Sequence, residues 1–122
     1  MEITGLEDRM RIIQEYVPGC QVTLCHIIAS PDKVLYEKLG LDPRIDYDKA
    51  AIGVVTVTPS ETAIIMADVA LKASGITLGF VDRFSGSLII TGSVSEVEAS
   101  MHAMLDYTRD RLRYNVCEIT KT

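Results

Sequence analysis

The sequence predicts an α+β fold, a sandwich-like α/β arrangement in which an antiparallel-containing sheet is flanked by helices. Three observations predict it. Residues 51 to 120 order as strand, helix, strand, strand, helix, strand, a βαββαβ unit. Both strand-to-helix junctions, Thr58-Pro59-Ser60-Glu61 and Ser93-Val94-Ser95-Glu96, have the spacing of a capping box, in which the hydroxyl accepts from a backbone N–H three residues on and the Glu reaches back. Finally, 122 residues with 48% apolar content suffice for one core and fall short of two.

The elements follow in order. Residues 1 to 10 are polar, and Arg11 to Val17 mixes strand formers with polar residues before the turn signal Pro18-Gly19, so a hairpin or bent pair of strands is expected. Val22 to Ala29 is apolar on both faces and expects cover on both sides. Ser30-Pro31 opens a helix with Val34, Leu35 and Leu39 near one face and Gly40 as its stop. Residues 41 to 49 read as a charged surface loop.

The second section begins at Ala50. Strand Ile52 to Val57 leads into a helix from about Ser60 to Ala73, with Pro59 at its first position and Ala63, Met66, Ala67 and Ala70 against the sheet. Strands Ile76 to Val81 and Leu88 to Thr91 flank the turn Asp82-Arg83-Phe84-Ser85-Gly86-Ser87. Val94, Val97, Met101, Met104, Leu105, Thr108 and Leu112 then keep the ~3.6 period of a one-sided helix. A closing strand, Asn115 to Thr120, completes the unit.

Composition excludes several functions. A net charge of −5 with no basic face argues against a nucleic-acid surface. Arg109, Arg111 and Arg113 interleave with Asp106 and Asp110, as at a solvated helix end. No run approaches the ~20 apolar residues of a membrane span, and no leader-like segment opens the chain, so a cytoplasmic protein is expected. Cys20, Cys25 and Cys117 lack CxxC spacing and read as reduced packing residues.

Enzyme chemistry has no motif to stand on. There is no HExxH, Walker A loop or GxGxxG, and no nucleophile motif. His26 lies in an apolar strand as a structural histidine, and His102 falls off the helix stripe. Glu96 and Glu98 point to different helix faces, and Met101 and Met104 fill the core. No cofactor, metal site or catalytic residue is expected. In an isolated chain the Asp82–Ser87 turn is a hairpin connection; in a ring it lines an axis. Ile12, Ile13, Tyr16 and Val17 need cover that a two-stranded ribbon cannot give itself.

The stretches AIGVVTVTPSETAIIMADVALKASG, LGFVDRFSGSLIITGSV and CEITKT resemble bacterial microcompartment (BMC) shell proteins. The front half, RIIQEYVPGCQVTL followed by HIIASP, resembles their circularly permuted subgroup, which includes ethanolamine- and propanediol-utilisation shell proteins. The resemblance covers about residues 11 to 122 and implies a cyclic homohexamer that tiles with other shell proteins around metabolic enzymes. It implies a permuted shell domain over 21–122, with 1–20 as an extension and barrel strand. Ile12, Ile13, Gln14, Glu15, Tyr16 and Val17 would form, with five symmetry mates, a small β-barrel over the central opening, which leaves no free strand edges.

Matched to the family, Arg83, Phe84, Ser85, Gly86 and Ser87 fall on the pore loop. Six Arg83 side chains near an axis attract anions; a pairing of Arg83 with Asp within or between subunits is the other reading. Lys72 falls on the edge where hexamers meet, against the plainer role of a solvated helix lysine. Ser30 stands where ordinary members carry an arginine that docks neighbouring hexamers. The longer loop at 41 to 49 and longer N-terminus point towards another compartment type, choline utilisation. The alternative from another class is a ferredoxin-like small-molecule-binding regulatory domain, because fold alone does not give function.

Overall fold

The structure, a computed structural model, describes residues 19–45 and 50–122. Eight elements follow one another: β1 (Gln21–Ile28), α1 (Lys33–Lys38), β2 (Ala51–Thr58), α2 (Thr62–Ala73), β3 (Thr77–Asp82), β4 (Ser87–Gly92), α3 (Val94–Asp110) and β5 (Thr120–Lys121). The strands form one sheet in the order β3-β4-β2-β1-β5. All neighbours are antiparallel except β1 and β5. The antiparallel-containing sheet flanked by helices is therefore as expected.

One face of the sheet carries the main core. Val22, Cys25 and Ile27 of β1, Val55 and Val57 of β2, and Leu88 and Ile90 of β4 pack beneath Met66 of α2 and Val97, Met101 and Met104 of α3. Gly53 brings α3 close to β2: a Cβ there would lie 2.5 Å from the Met101 Cε and 2.9 Å from Val97 Cγ1. The four buried residues expected on α2, Ala63, Met66, Ala67 and Ala70, are buried. Ser100 Oγ ties the two helices together by donating to the Ala70 carbonyl at 2.8 Å.

Among the described residues, the other face is covered only in part. Tyr36 of α1 and Leu41 pack on Ile52, and the Tyr36 hydroxyl donates to the Ala50 carbonyl at 2.6 Å. Leu41 was expected in an exposed loop but is 5% exposed, because the chain after α1 folds back over the sheet. The face expected for α1 is also corrected. Val34 is 55% and Leu39 39% exposed, while Tyr36 is the buried anchor. The helix is only six residues long and starts after Asp32, whose carboxylate accepts from Val34 N, so Ser30-Pro31 lies ahead of it. The complete two-sided cover expected of β1 is likewise not found among the described residues: Leu24, which follows a bulge after Val22, is 41% exposed.

The two helix starts differ. Ser93 accepts from Glu96 N while Glu96 accepts from Ser93 N, the capping box as expected. At Thr58-Pro59-Ser60-Glu61 no box forms, and Pro59 is not the first helical residue. Thr58 is held in β2, paired with Gln21, and its peptide bond to Pro59 is cis. The first N–H groups of α2, from Thr62, Ala63 and Ile64, instead reach the carbonyls of Pro59, Ser60 and Glu61 at 3.0, 3.1 and 3.1 Å, the tight i→i+3 pattern of a helix end.

The closing strand is shorter than expected. Gln21 bridges to Asn115 and β5 pairs beside His26 and Ile27, but residues 116 to 119 form no ladder. Val116, Cys117 and Ile119 turn partly into the core instead.

Candidate functional site

The Asp82–Ser87 turn is a built structure rather than a slack connection. Gly86 has φ +77°, donates to the Asp82 carbonyl at 2.9 Å and accepts from Val57 N at 2.9 Å. A Cβ at this position would lie 2.2 Å from the Val57 carbonyl oxygen, so β2 itself leaves room only for glycine. The Asp82 carboxylate accepts from Phe84 N and from Ser85 Oγ, both at 2.8 Å. The Phe84 N–H, and then the Ser85 hydroxyl, hold that carboxyl below the usual range.

Because Asp82 is engaged with its own turn, it does not pair with Arg83 within the chain. The Arg83 guanidinium sits over the Phe84 ring, 4.9 Å from its centroid, within reach of a cation–π attraction. Phe84 is 80% exposed. The turn thus presents an aromatic ring and a cation to solvent while its anion faces inward to donors. Sequence spacing gave no sign of this stacking.

β1 begins at the same end of the sheet. Gln21 opens β1 opposite Thr58 in β2, and Thr56 lies opposite Ser87 in β4. Two strand spacings, about 10 Å, therefore separate the start of β1 from the start of β4. Gly19 (φ +78°) precedes it, and the Cys20 carbonyl accepts from Asn115 N at 3.1 Å. Ile12, Ile13, Gln14, Glu15, Tyr16 and Val17 lie outside the described residues.

A sequence profile described as the BMC domain matches residues 51–119, more than half of the chain. The chain belongs to the BMC-domain family. The shell protein PduU of Salmonella typhimurium is 46% identical over 122 residues, covering 100% of both chains. The shell protein EutS of Escherichia coli is 49% identical over 115 residues, 94% of this chain and 99% of its own. Among solved structures, a flat hexamer of CutR superposes with a TM-score of 0.79 at 45% identity, covering 87% of this chain and 94% of that one. In this BMC domain the matched region starts at β2, and β1 with α1 comes ahead of it while β1 still pairs inside the sheet. That is the order a circular permutation produces.

The remaining expected residues are separate from the turn. Lys72, in the last turn of α2, places Nζ 2.7 Å from Asp68, and this bond raises its pKa. The two side chains are 75% and 59% exposed, so the pair contributes little to stability. Both ring nitrogens of His26 are hydrogen-bonded, to the hydroxyls of Thr120 and Thr122, which fits the structural role expected of it. His102 is exposed, off the buried stripe of α3. Arg109 is bonded to Asp106 and Asp110, as expected of a solvated helix end. The three cysteines are free thiols, and burial, with a smaller contribution from Cys117, pushes Cys25 up to about 12. Among the described residues no group of three His, Cys, Asp or Glu could hold a metal ion, and no helix is long and apolar enough to cross a membrane.

Proposed function

We propose that this chain is a structural, non-catalytic subunit of a bacterial microcompartment shell, assembling as a homohexamer that tiles with other shell proteins around enclosed enzymes in the cytoplasm. The observation that carries this reading is its 46% identity to the shell protein PduU over 122 residues, 100% of both chains. The Arg83–Ser87 turns of six copies surround the axis, and residues 12–17 of each contribute a strand to a β-barrel above them. The shared sheet end of the turn and the exit at Gly19 supports that placement.

With Asp82 bonded to Phe84 N and Ser85 rather than to Arg83, six Arg83 guanidinium groups stacked on Phe84 would be available to anions at the opening, while the six ionised Asp82 carboxylates offset part of their field. Lys72, exposed at the end of α2, is the residue offered to a neighbouring hexamer, and Asp68 holds it in place.

Native mass spectrometry tests the assembly. A six-subunit species is expected, together with sheets or tubes by negative-stain microscopy; a stable monomer with saturable metabolite binding would overturn the reading. Deletion of residues 1–17 separates the barrel from the domain. It should leave a folded hexamer with an open centre, whereas loss of the fold would place those residues in the subunit's own core.

A further inference from the structure

The chain enters β1 through a short stretch gripped from both sides. Gln21 pairs with Thr58 of β2 on one side and bridges to Asn115 on the other. The Asn115 N–H donates to the Cys20 carbonyl at 3.1 Å, and the Asn115 carbonyl accepts from Val22 N at 2.9 Å. These two bonds stand apart from any ladder: residues 116 to 119 form none, and the C-terminal segment rejoins β1 only at Thr120, beside His26. Among the described residues, the Cys20 carbonyl is the first backbone group along the chain to find a partner. The turn that presents Asn115 is itself over-determined. Arg113, at φ +62°, is the one left-handed residue other than glycine among the described residues, a conformation in which Cβ crowds the following carbonyl. Next to it, Tyr114 N donates to the Thr108 carbonyl at 2.9 Å, and the Tyr114 hydroxyl shares a 2.7 Å hydrogen bond with the Thr62 hydroxyl at the start of α2. Strain of this kind persists where the surroundings fix it, and it clusters at functional positions.

We propose that the turn Arg113–Asn115 is a clamp that positions the N-terminal strand, setting the direction in which residues 12–17 leave the subunit for the β-barrel. This rests on the barrel reading above. The lever is long: six residues of strand reach about 20 Å, so a swing of about 14° at the base moves the far end by about 4.8 Å, one full strand spacing. Six strands launched with that latitude meet out of register. Bonds to Cys20 and Val22 in every subunit settle the direction before the ring closes, so barrel closure has less left to order. The left-handed Arg113 then has a purpose, because Asn115 keeps both bonds only while the turn keeps its shape.

The experiment follows amide hydrogen exchange by mass spectrometry in the full-chain assembly, reading residues 12–17 against β2 as an internal reference. In the wild type both are expected to be protected. Asn115→Pro has no N–H to offer Cys20; protection of residues 12–17 should fall about tenfold or more while β2 keeps its own and native mass spectrometry still finds six subunits. Two variants at position 113 separate backbone from side chain. Arg113→Asn tolerates the left-handed backbone and should keep the wild-type pattern, whereas the branched Arg113→Val does not and should behave as Asn115→Pro does. If Asn115→Pro fails to fold, the position-113 pair carries the test with the same outcomes. Equal exchange of residues 12–17 in the wild type, Asn115→Pro and Arg113→Val overturns the clamp alone, and so does protection lost from β2 to the same degree, which would make the turn a general brace. Residues 12–17 already unprotected in a wild-type hexamer overturn the barrel and the clamp together.

Discussion

The two faces of the sheet are built from similar residues and finished differently. Cys25, Ile27, Val55, Leu88 and Ile90 on the helix face are each no more than 1% exposed, whereas Leu24 and Phe80 on the other face remain 41% and 44% exposed. The difference lies in what covers them. Among the described residues, two helices of 12 and 17 residues lie on the first face, and one helix of six residues lies on the second. The first face accordingly holds the subunit together.

Changes on the helix face should therefore dominate subunit stability. Met101 is fully buried and touches both the Gly53 approach and the Cys25 thiol, which donates to its sulfur at 3.0 Å. Met101→Ala is expected to cost about 2–5 kcal/mol in chemical denaturation, and a loss below about 1 kcal/mol would break the comparison.

The same face carries an alkaline limit. Cys25 has its pKa raised to about 12 in the fold. A raised value means the contribution is complete below the unfolded thiol's pKa near 9 and is lost as pH climbs towards 12, a few kcal/mol in all. Melting temperature should fall across that window, and Cys25→Ala should flatten the slope relative to wild type.

A smaller effect is expected at the start of α3. Ser93→Ala removes a cap worth about 1 kcal/mol. The Ser93 N–H holds the Glu96 carboxyl below its usual range. A depressed value contributes above the ordinary carboxylate pKa and is lost on acidification, so the stability gap between wild type and Glu96→Gln should narrow as pH falls. Melts at neutral and acid pH would show it. Smallest of all, Leu24→Ser should change the dilute, dissociated subunit by less than about 0.5 kcal/mol. A cost comparable to that of Met101→Ala would place Leu24 in the core and erase the distinction between the faces.

Legibility in the sequence followed the range of the interactions involved. The box at Ser93–Glu96 depends on four consecutive residues, and the helix stripe from Val97 to Thr108 depends on one period, so both were readable. The same four-residue spacing at Thr58–Glu61 misled, because Gln21, far away in sequence, holds Thr58 in the ladder. The charged neighbours of Leu41 spell a surface loop, yet its burial is decided by Tyr36 and Ile52. The strand read over Asn115–Thr120 shrank because its partner β1 meets it only at its two ends. At the turn, glycine and its polar neighbours were legible as a connection. That Asp82 would spend both carboxylate oxygens locally, freeing Arg83 to lie over Phe84, depended on backbone geometry that spacing does not encode.

The glycine wedged against Val57 has a consequence for diversification. Position 86 is closed to substitution by the strand behind it, and Asp82 and Ser85 are committed to holding the bend. Only residues 83 and 84 are left to vary without rebuilding the scaffold. A library randomised at those two sites alone would sample nearly all the surface chemistry this bend can offer.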